Sequence, residues 1–252
     1  MISVCMTTYN GMRFIKQQIE SILSQLDLSD ELIISDDGSS DETLKIIDSF
    51  NDSRIKLLKH EKNPKISKIK YSRNFYYATE NFENAIKNAK GEYIFLSDQD
   101  DIWLDGRKES ILYELSKNDC VMCNCNVIDE NNVCIKDIFF EHIPYEKSIL
   151  KNTLKRTPFL GCCMAFKASA LSYILPFPKN LCCHDLWIGC LCAHFNQLKF
   201  IPEVLHNYRL HGNNVSPSAN AGSKNPLWFR LWYRICFIKQ ISIRIASLTF
   251  RR

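Results

Sequence analysis

Apolar runs alternate with amphipathic segments along the first hundred residues. Ile2, Val4, Cys5 and Met6 form a short apolar run closed by Thr-Thr-Tyr-Asn-Gly. Phe14, Ile15, Gln18, Ile19, Ile22 and Leu23 then recur at helical spacing. The plan repeats with a strand expected at 31–35, an acidic Gly/Ser turn, and a helix. That helix opens at Ser40 or Asp41 and carries Leu44, Ile47 and Phe50 on one face. Residues 54–60 read as a third strand, 82–91 as a helix ending at Gly91, and 92–97 as a fourth strand. Strands alternating with helices of this length predict a parallel α/β sheet, which binds ligands at the carboxyl ends of its strands. Three polar loops, 7–10, 36–41 and 98–101, are thereby expected along one edge.

The second half is less regular. A strand is expected at 119–129, a strand or buried turn leading into a helix at 159–171, a helix with an acidic start at 183–195, and a strand with a polar exit at 199–216. Without a repeat or low-complexity linker, one continuous domain through residue 218 is the economical reading. The Ser/Asn/Gly/Pro-rich stretch 216–226 serves as boundary, and 219–252 form a basic tail. In that tail Trp228, Leu231, Trp232, Ile235 and Ile238 recur at helical spacing with Arg230, Arg234 and Lys239 between them. This is the composition of an amphipathic helix on anionic lipid. Packing against the domain or a partner is the plain alternative.

Composition narrows the picture only slightly. With 46% hydrophobic and 24% charged residues in 252, the chain suits a large folded core and excludes disorder. The net charge of +4 is local, because the tail from Lys224 carries seven cations and no acid while the remainder is close to neutral. It gives no reason to expect nucleic acid. Twelve cysteines do not demand a disulfide framework in a chain this large; several lie in apolar runs, and reduced thiols in a cytoplasmic protein are expected. Cys120-x-x-Cys123 and the group Cys182, Cys183, His184 could be read as zinc ligands, but no second pair stands at a matching spacing. Buried small hydrophobes account for them better. The N-terminus has no basic region or cleavage site of a secretion signal, and no uncharged apolar run approaches the roughly 20 residues of a membrane span.

The stretch SDQDDIWLDGR carries the most pointed chemistry. Asp98, Asp100 and Asp101 crowd the mouth of an apolar strand, where carboxylates repel unless a cation neutralises them. Mg²⁺ or Mn²⁺ with phosphate oxygens is the natural partner. A cluster of acids at a helix start is the alternative, and it suits Asp105 best. Asp36 and Asp37 form a second acidic turn that could accept from a base N–H or a ribose hydroxyl. Neither G-x-G-x-x-G nor a Walker-type loop is present, so phosphates need a metal and a basic residue, for which 59–73 offers candidates ending in Arg73.

Taken in order, VCMTTYNG, IISDDGSSDET, KGEYIFLSDQDDIW, FLGCCMAF, CHDLWIG and YRLHGNNVS resemble family 2 glycosyltransferases of the GT-A fold, in the bacterial rhamnosyltransferase-like branch of surface-polysaccharide synthesis. The resemblance covers roughly 1–216. It implies a Rossmann-like, mostly parallel sheet flanked by helices, and a nucleotide-sugar donor. Thr7 and Tyr9 would line the base, with Asn10 in the same donor-binding loop. Asp37 would accept the base imide, with Asp36 its alternative, and Arg73 would lie near base or diphosphate. Asp98-Gln99-Asp100 would be the D-x-D, with Asp100 on the metal and Asp98 and Asp101 on sugar or ribose hydroxyls or metal-bound water. Gly161 would face donor sugar and acceptor, and His211 would reach the metal or diphosphate. Asp185 would be the catalytic base, although His184 stands where a Glu is often found.

These implications describe an inverting, Mn²⁺- or Mg²⁺-dependent transfer from a UDP- or dTDP-sugar to a growing O-antigen, capsule or lipooligosaccharide. A lipid-linked acceptor would place the enzyme on the inner face of the cytoplasmic membrane through its tail. One carboxylate takes the acceptor proton, and a Lewis acid stabilises the departing diphosphate. Asp185 as a helix cap, His211 as a turn residue and Gly161 as a packing glycine remain the plain alternatives. A non-catalytic nucleotide-sugar-binding or scaffolding protein, or a nucleotidyltransferase, would compete at the level of function.

Overall fold

The computed structural model describes residues 1–154, 158–195, 197–212, 214 and 225–249. The expected domain boundary near 218, and Asn213, Val215 and Ser216 of the last motif, lie outside them. β1 (Ile2–Thr8), α1 (Ile15–Leu23), β2 (Glu31–Asp36), α2 (Thr43–Ser49), β3 (Ile55–Lys59), α3 (Arg73–Lys87) and β4 (Tyr93–Ser97) follow the expected alternation. β1 pairs in parallel with β2 and β4, and β2 with β3. Buried on both faces, β1, β2 and β4 read as continuous apolar runs rather than as alternation, while the edge strand β3 is half-buried.

β5 (Ile102–Trp103), α4 (Arg107–Leu115), β6 (Cys120–Ile128), β7 (Cys134–Lys136), α5 (Ile149–Leu154), β8 (Met164–Lys167), α6 (Leu171–Ile174), α7 (His184–His194), β9 (Leu198–Arg209) and α8 (Leu227–Thr249) complete the chain. The sheet runs β3-β2-β1-β4-β8-β6-β9-β5, with β7 on β6. β8 enters antiparallel between β4 and β6, while β6 and β9 run parallel with register shifts at 123–126. The sheet therefore continues past β4, and the ends of β6 and β9 come beside the acidic loop after β4.

Two elements differ from expectation. α3 begins at Arg73, nine residues before the expected start, because its buried face includes the polar Thr79 and Asn81 beside Tyr76 and Phe82, which breaks the apolar stripe. The tail helix α8 packs on the domain through buried Phe229, Phe237 and Ile241. Arg244 donates to the carbonyls of Tyr173 and Leu175, and Arg234 to that of Thr153. No described helix is long and apolar enough to cross a membrane.

Candidate active site

Two acidic turns and one tyrosine loop are fastened together at the carboxyl edge of β1, β2 and β4. Asn10, at φ 49°, receives the Ser40 N–H on its Oδ1 and donates its own N–H to Ser39 Oγ. Asp36 accepts from the N–H groups of Gly38 and Ser39, each at 2.9 Å, and from Ser39 Oγ, so both of its oxygens hold the turn. Asp37 is different. Its Oδ1 lies 2.7 Å from His60 Nδ1 and its Oδ2 3.6 Å from Lys62 Nζ, while Lys62 also sits 3.3 Å from the centroid of the half-exposed Tyr9 ring. Asp37, His60, Lys62 and Tyr9 thus form one polar-aromatic corner. Thr7 is half-buried beside it at the end of β1. Arg73 is exposed at the start of α3, where its Nε donates to the Ile69 carbonyl rather than to any of these acids.

Gln99, the middle residue of the D-x-D, has no role in the sequence reading. Its Oε1 accepts from Thr8 Oγ1 at 2.6 Å and the Tyr9 N–H at 2.9 Å, and its Nε2 donates to the Tyr9 carbonyl. The side chain therefore clamps the tyrosine loop to the acidic loop. A Cβ at Gly11 would lie 2.3 Å from Gln99 Oε1, so any side chain there would push the Gln99 clamp aside.

The three acids at 98–101 separate into distinct environments. Asp100 Oδ2 meets His211 Nε2 at 2.7 Å, and Phe14 packs against the His211 ring at 4.9 Å. Asp101 is fully buried: Oδ2 meets His206 Nε2 and Oδ1 accepts the Arg209 N–H, both at 2.8 Å. Arg209 then donates to the Asp100 carbonyl and to Gln17 Oε1, locking β9 under the loop. Asp98 stays half-buried at the mouth. Burial, then the charges of Asp101, Asp100 and Asp185, push its carboxyl well above the usual range. Burial also raises Asp100, against the opposing pull of His211. Crowded acids that resist ionisation, beside an imidazole, are a donor set that suits Mn²⁺ or Mg²⁺.

Asp185 opens α7 from across this mouth. Its Oδ1 accepts from Cys183 Sγ at 2.6 Å and from the Leu186 N–H at 2.8 Å, so no hydrogen bond among the described residues falls on Oδ2. Gly161 lies against it: a Cβ there would stand 3.4 Å from Asp185 Cβ and 3.1 Å from His184 Nε2. His184 stacks on Phe82 at 4.0 Å, and burial lowers its pKa, so it brings no charge beside Asp185. Asp105 is exposed before Gly106 and makes no capping bond to α4.

Comparisons with known proteins agree with this architecture. The sequence profile described as Glycosyl transferase family 2 matches residues 3–175. The dTDP-rhamnosyl transferase RfbG of Shigella flexneri is 30% identical over 231 residues, covering 83% of this chain and 72% of the relative. An uncharacterized glycosyltransferase of Nostoc sp. is 27% identical over 239 residues, covering 88% of this chain and 69% of its own. Among solved structures, S. aureus TarS 1–349 in complex with UDP superposes with a TM-score of 0.62 at 18% identity, covering 83% of this chain. The mannosyltransferase PcManGT of Pyrobaculum calidifontis, in complex with GDP-Man and Mn²⁺, gives 0.58 at 16% identity over 85% of this chain. This chain spans 60% of the TarS chain and 58% of PcManGT, and these likenesses establish the fold.

Proposed function

Because the chain belongs to glycosyl transferase family 2, and so is a glycosyltransferase, we propose that it moves a sugar, with inversion, from a UDP- or dTDP-sugar to a growing bacterial surface glycan. The observation that carries this reading is the meeting of Asp100 with His211, 111 residues apart, at a mouth shared by Asp98 and Asp185. Asp37 accepts the base imide that uracil and thymine have in common, and His60 and Lys62 hold its carboxylate while Tyr9 covers the base. Asp100 and His211 would hold Mn²⁺ or Mg²⁺, which when bound supplies charge stabilisation to the diphosphate leaving group. Asp98 and Arg73 complete the donor contacts; Asp101 positions the loop from below.

Asp185 Oδ2 takes the proton of the acceptor hydroxyl as that oxygen attacks the anomeric carbon. Cys183 and the Leu186 N–H steady the other oxygen of the same carboxylate. Gly161 leaves the space for the reacting sugar beside Asp185. The relationship to a dTDP-rhamnosyl transferase favours a deoxyhexose donor. Residues 1–218 form the catalytic domain, and α8 presents Trp228, Leu231, Trp232 and Ile235 to the inner face of the cytoplasmic membrane, where a lipid-linked acceptor would lie.

A thermal-shift screen of UDP- and dTDP-sugars with and without Mn²⁺ tests the donor. Release of a nucleoside diphosphate with the selected sugar supports transfer. Pyrophosphate released from a nucleoside triphosphate and sugar phosphate would point to nucleotidyl transfer instead.

A further inference from the structure

Behind the acidic loop, and reaching Asp98 and Asp101 through Cys162, lies a second set of ligand-type side chains to which the proposed transfer assigns no step. Cys162 and Cys163, in the 3₁₀ turn Gly161–Cys163, and His206 of β9 bring their Sγ and ring-nitrogen atoms within 4.8 Å of one another, all fully buried. The Cys163 thiol also touches those of Cys123 and Cys125, which project from the same face of β6. His206 Nε2 is bound to Asp101, which leaves the lone pair on Nδ1, and that atom is buried with no hydrogen-bond partner among the described residues. Arg107 is equally buried. Its guanidinium donates to Cys123 Sγ and the Cys162 carbonyl, its Nε has no partner, and it reaches no carboxylate in the described chain.

A cation without a counter-charge in such a place is expensive, whereas four thiols as mere hydrophobes would offer it none. Thiolates held on a metal would. We propose that Cys125, Cys162, Cys163 and His206 bind one structural Zn²⁺. Binding releases the three thiol protons to solvent and leaves a site of net charge −1 against Arg107. Tetrahedral binding sets sulfurs about 3.8 Å from one another, a small contraction for Cys162 and Cys163, and it requires Cys125, which neighbours Cys163 but lies outside their group, to close on them. Asp101–His206–zinc would form a carboxylate–histidine–metal relay that orients the imidazole. The metal would tie β6, β9 and the Gly161 turn together directly beneath the catalytic mouth. It is separate from the exchangeable Mn²⁺ or Mg²⁺ expected at Asp100 and His211, whose donors are harder.

The test is metal analysis of the full chain purified without chelator, then dialysed against EDTA. About one equivalent of zinc should remain, be released by a thiol-blocking mercurial, and be lost in Cys162→Ser and Cys163→Ser. Cys134→Ser, at an exposed thiol on β7, and His211→Ala should retain it. Cobalt-grown protein should show thiolate-to-cobalt charge transfer and the strong visible bands of tetrahedral coordination. Wild-type protein that is folded by circular dichroism, yet holds less than about a tenth of an equivalent after reduction and incubation with zinc, overturns the proposal. Zinc that leaves with EDTA, or with the His211 substitution and not the cysteine ones, overturns it equally. These readouts do not depend on the sugar donor or on turnover.

Discussion

At the scale of single residues, the question is why three neighbouring acids behave differently. Asp98, Asp100 and Asp101 are interchangeable in the sequence, a run of carboxylates after an apolar strand. Their separation comes from partners more than a hundred residues away: His206 and Arg209 draw Asp101 inward, and His211 engages Asp100. No local pattern announces such pairings. Asp98 is left at the mouth with its ionised form disfavoured by burial and by the other acids. A carboxyl held above its unfolded value stabilises the fold at low pH, and that contribution is lost as pH rises through the raised value. Metal-free Asp98→Asn should therefore melt above the wild type, by an amount that grows from the ordinary carboxylate range toward neutrality. Each kcal/mol would appear as about 2–4 °C in a chain of this size. Added Mn²⁺ should shrink the difference; a gap that is flat with pH would show that Asp98 is not the strained acid. Asp185→Asn makes a different demand. It should leave the donor Kd within about twofold and lower kcat by at least about 10². Wild-type-like turnover would remove Asp185 as the base.

At the scale of elements, hydrophobic periodicity located most of what positions the site, because β1, β2 and β4 carry apolar runs and α1 keeps Ile15, Ile19 and Ile22 on one face, interrupted only by the buried Gln18. It failed at the first half of α3, whose buried face includes Thr79 and Asn81. Asn81 Nδ2 donates to the Ser35 carbonyl and Asn84 Nδ2 to Ser35 Oγ, tying the helix to β2 just before Asp36 and Asp37. A buried polar residue that serves a neighbouring strand reads as a surface position in a one-dimensional pattern. Gln99 was missed for a related reason: within D-x-D only the acids attract notice, yet the amide makes the pairings that hold the Tyr9 loop. Three such hydrogen bonds, each contributing about 0.5–1.5 kcal/mol, fix the Tyr9 loop, the proposed wall of the donor site, against the acidic loop. Gln99→Ala should raise the donor KM by about tenfold and change kcat far less. An equal fall in kcat with KM unchanged would mean that the clamp acts on the chemical step instead.

At the scale of the whole molecule, α8 packs one stripe of side chains on the rest of the fold and leaves another exposed. The sequence marked its aromatic and basic composition correctly, but one stripe of that composition is inward. Phe229, Phe237 and Ile241 are in the core, Arg234 and Arg244 serve carbonyls of the domain, and Ile238 is half-buried. Which face of a helix meets the domain depends on the shape of the domain surface, and periodicity alone does not carry that information. The outward stripe is Trp228, Leu231, Trp232 and Ile235, at i, i+3, i+4 and i+7, exposed by 60, 49, 51 and 68%, with Lys239 one turn beyond. Removing the whole helix would therefore uncover core residues and confuse loss of folding with loss of binding. Trp232→Ser with Ile235→Ser removes mainly exposed apolar area, losing only the packing of Trp232 on Phe229 at 5.8 Å, and should leave the melting temperature within about 4 °C. Sedimentation with vesicles containing anionic lipid should fall by at least about tenfold, because each side chain contributes on the order of 1.5–3 kcal/mol when buried in an apolar phase. Binding by the wild type should weaken as salt rises, through the screening of Lys239 and Arg230. Unchanged sedimentation of the double variant would assign the stripe to a protein partner. Turnover on a soluble acceptor should be the same in both proteins, because the role proposed for the stripe is recruitment of a lipid-linked acceptor and not the transfer step.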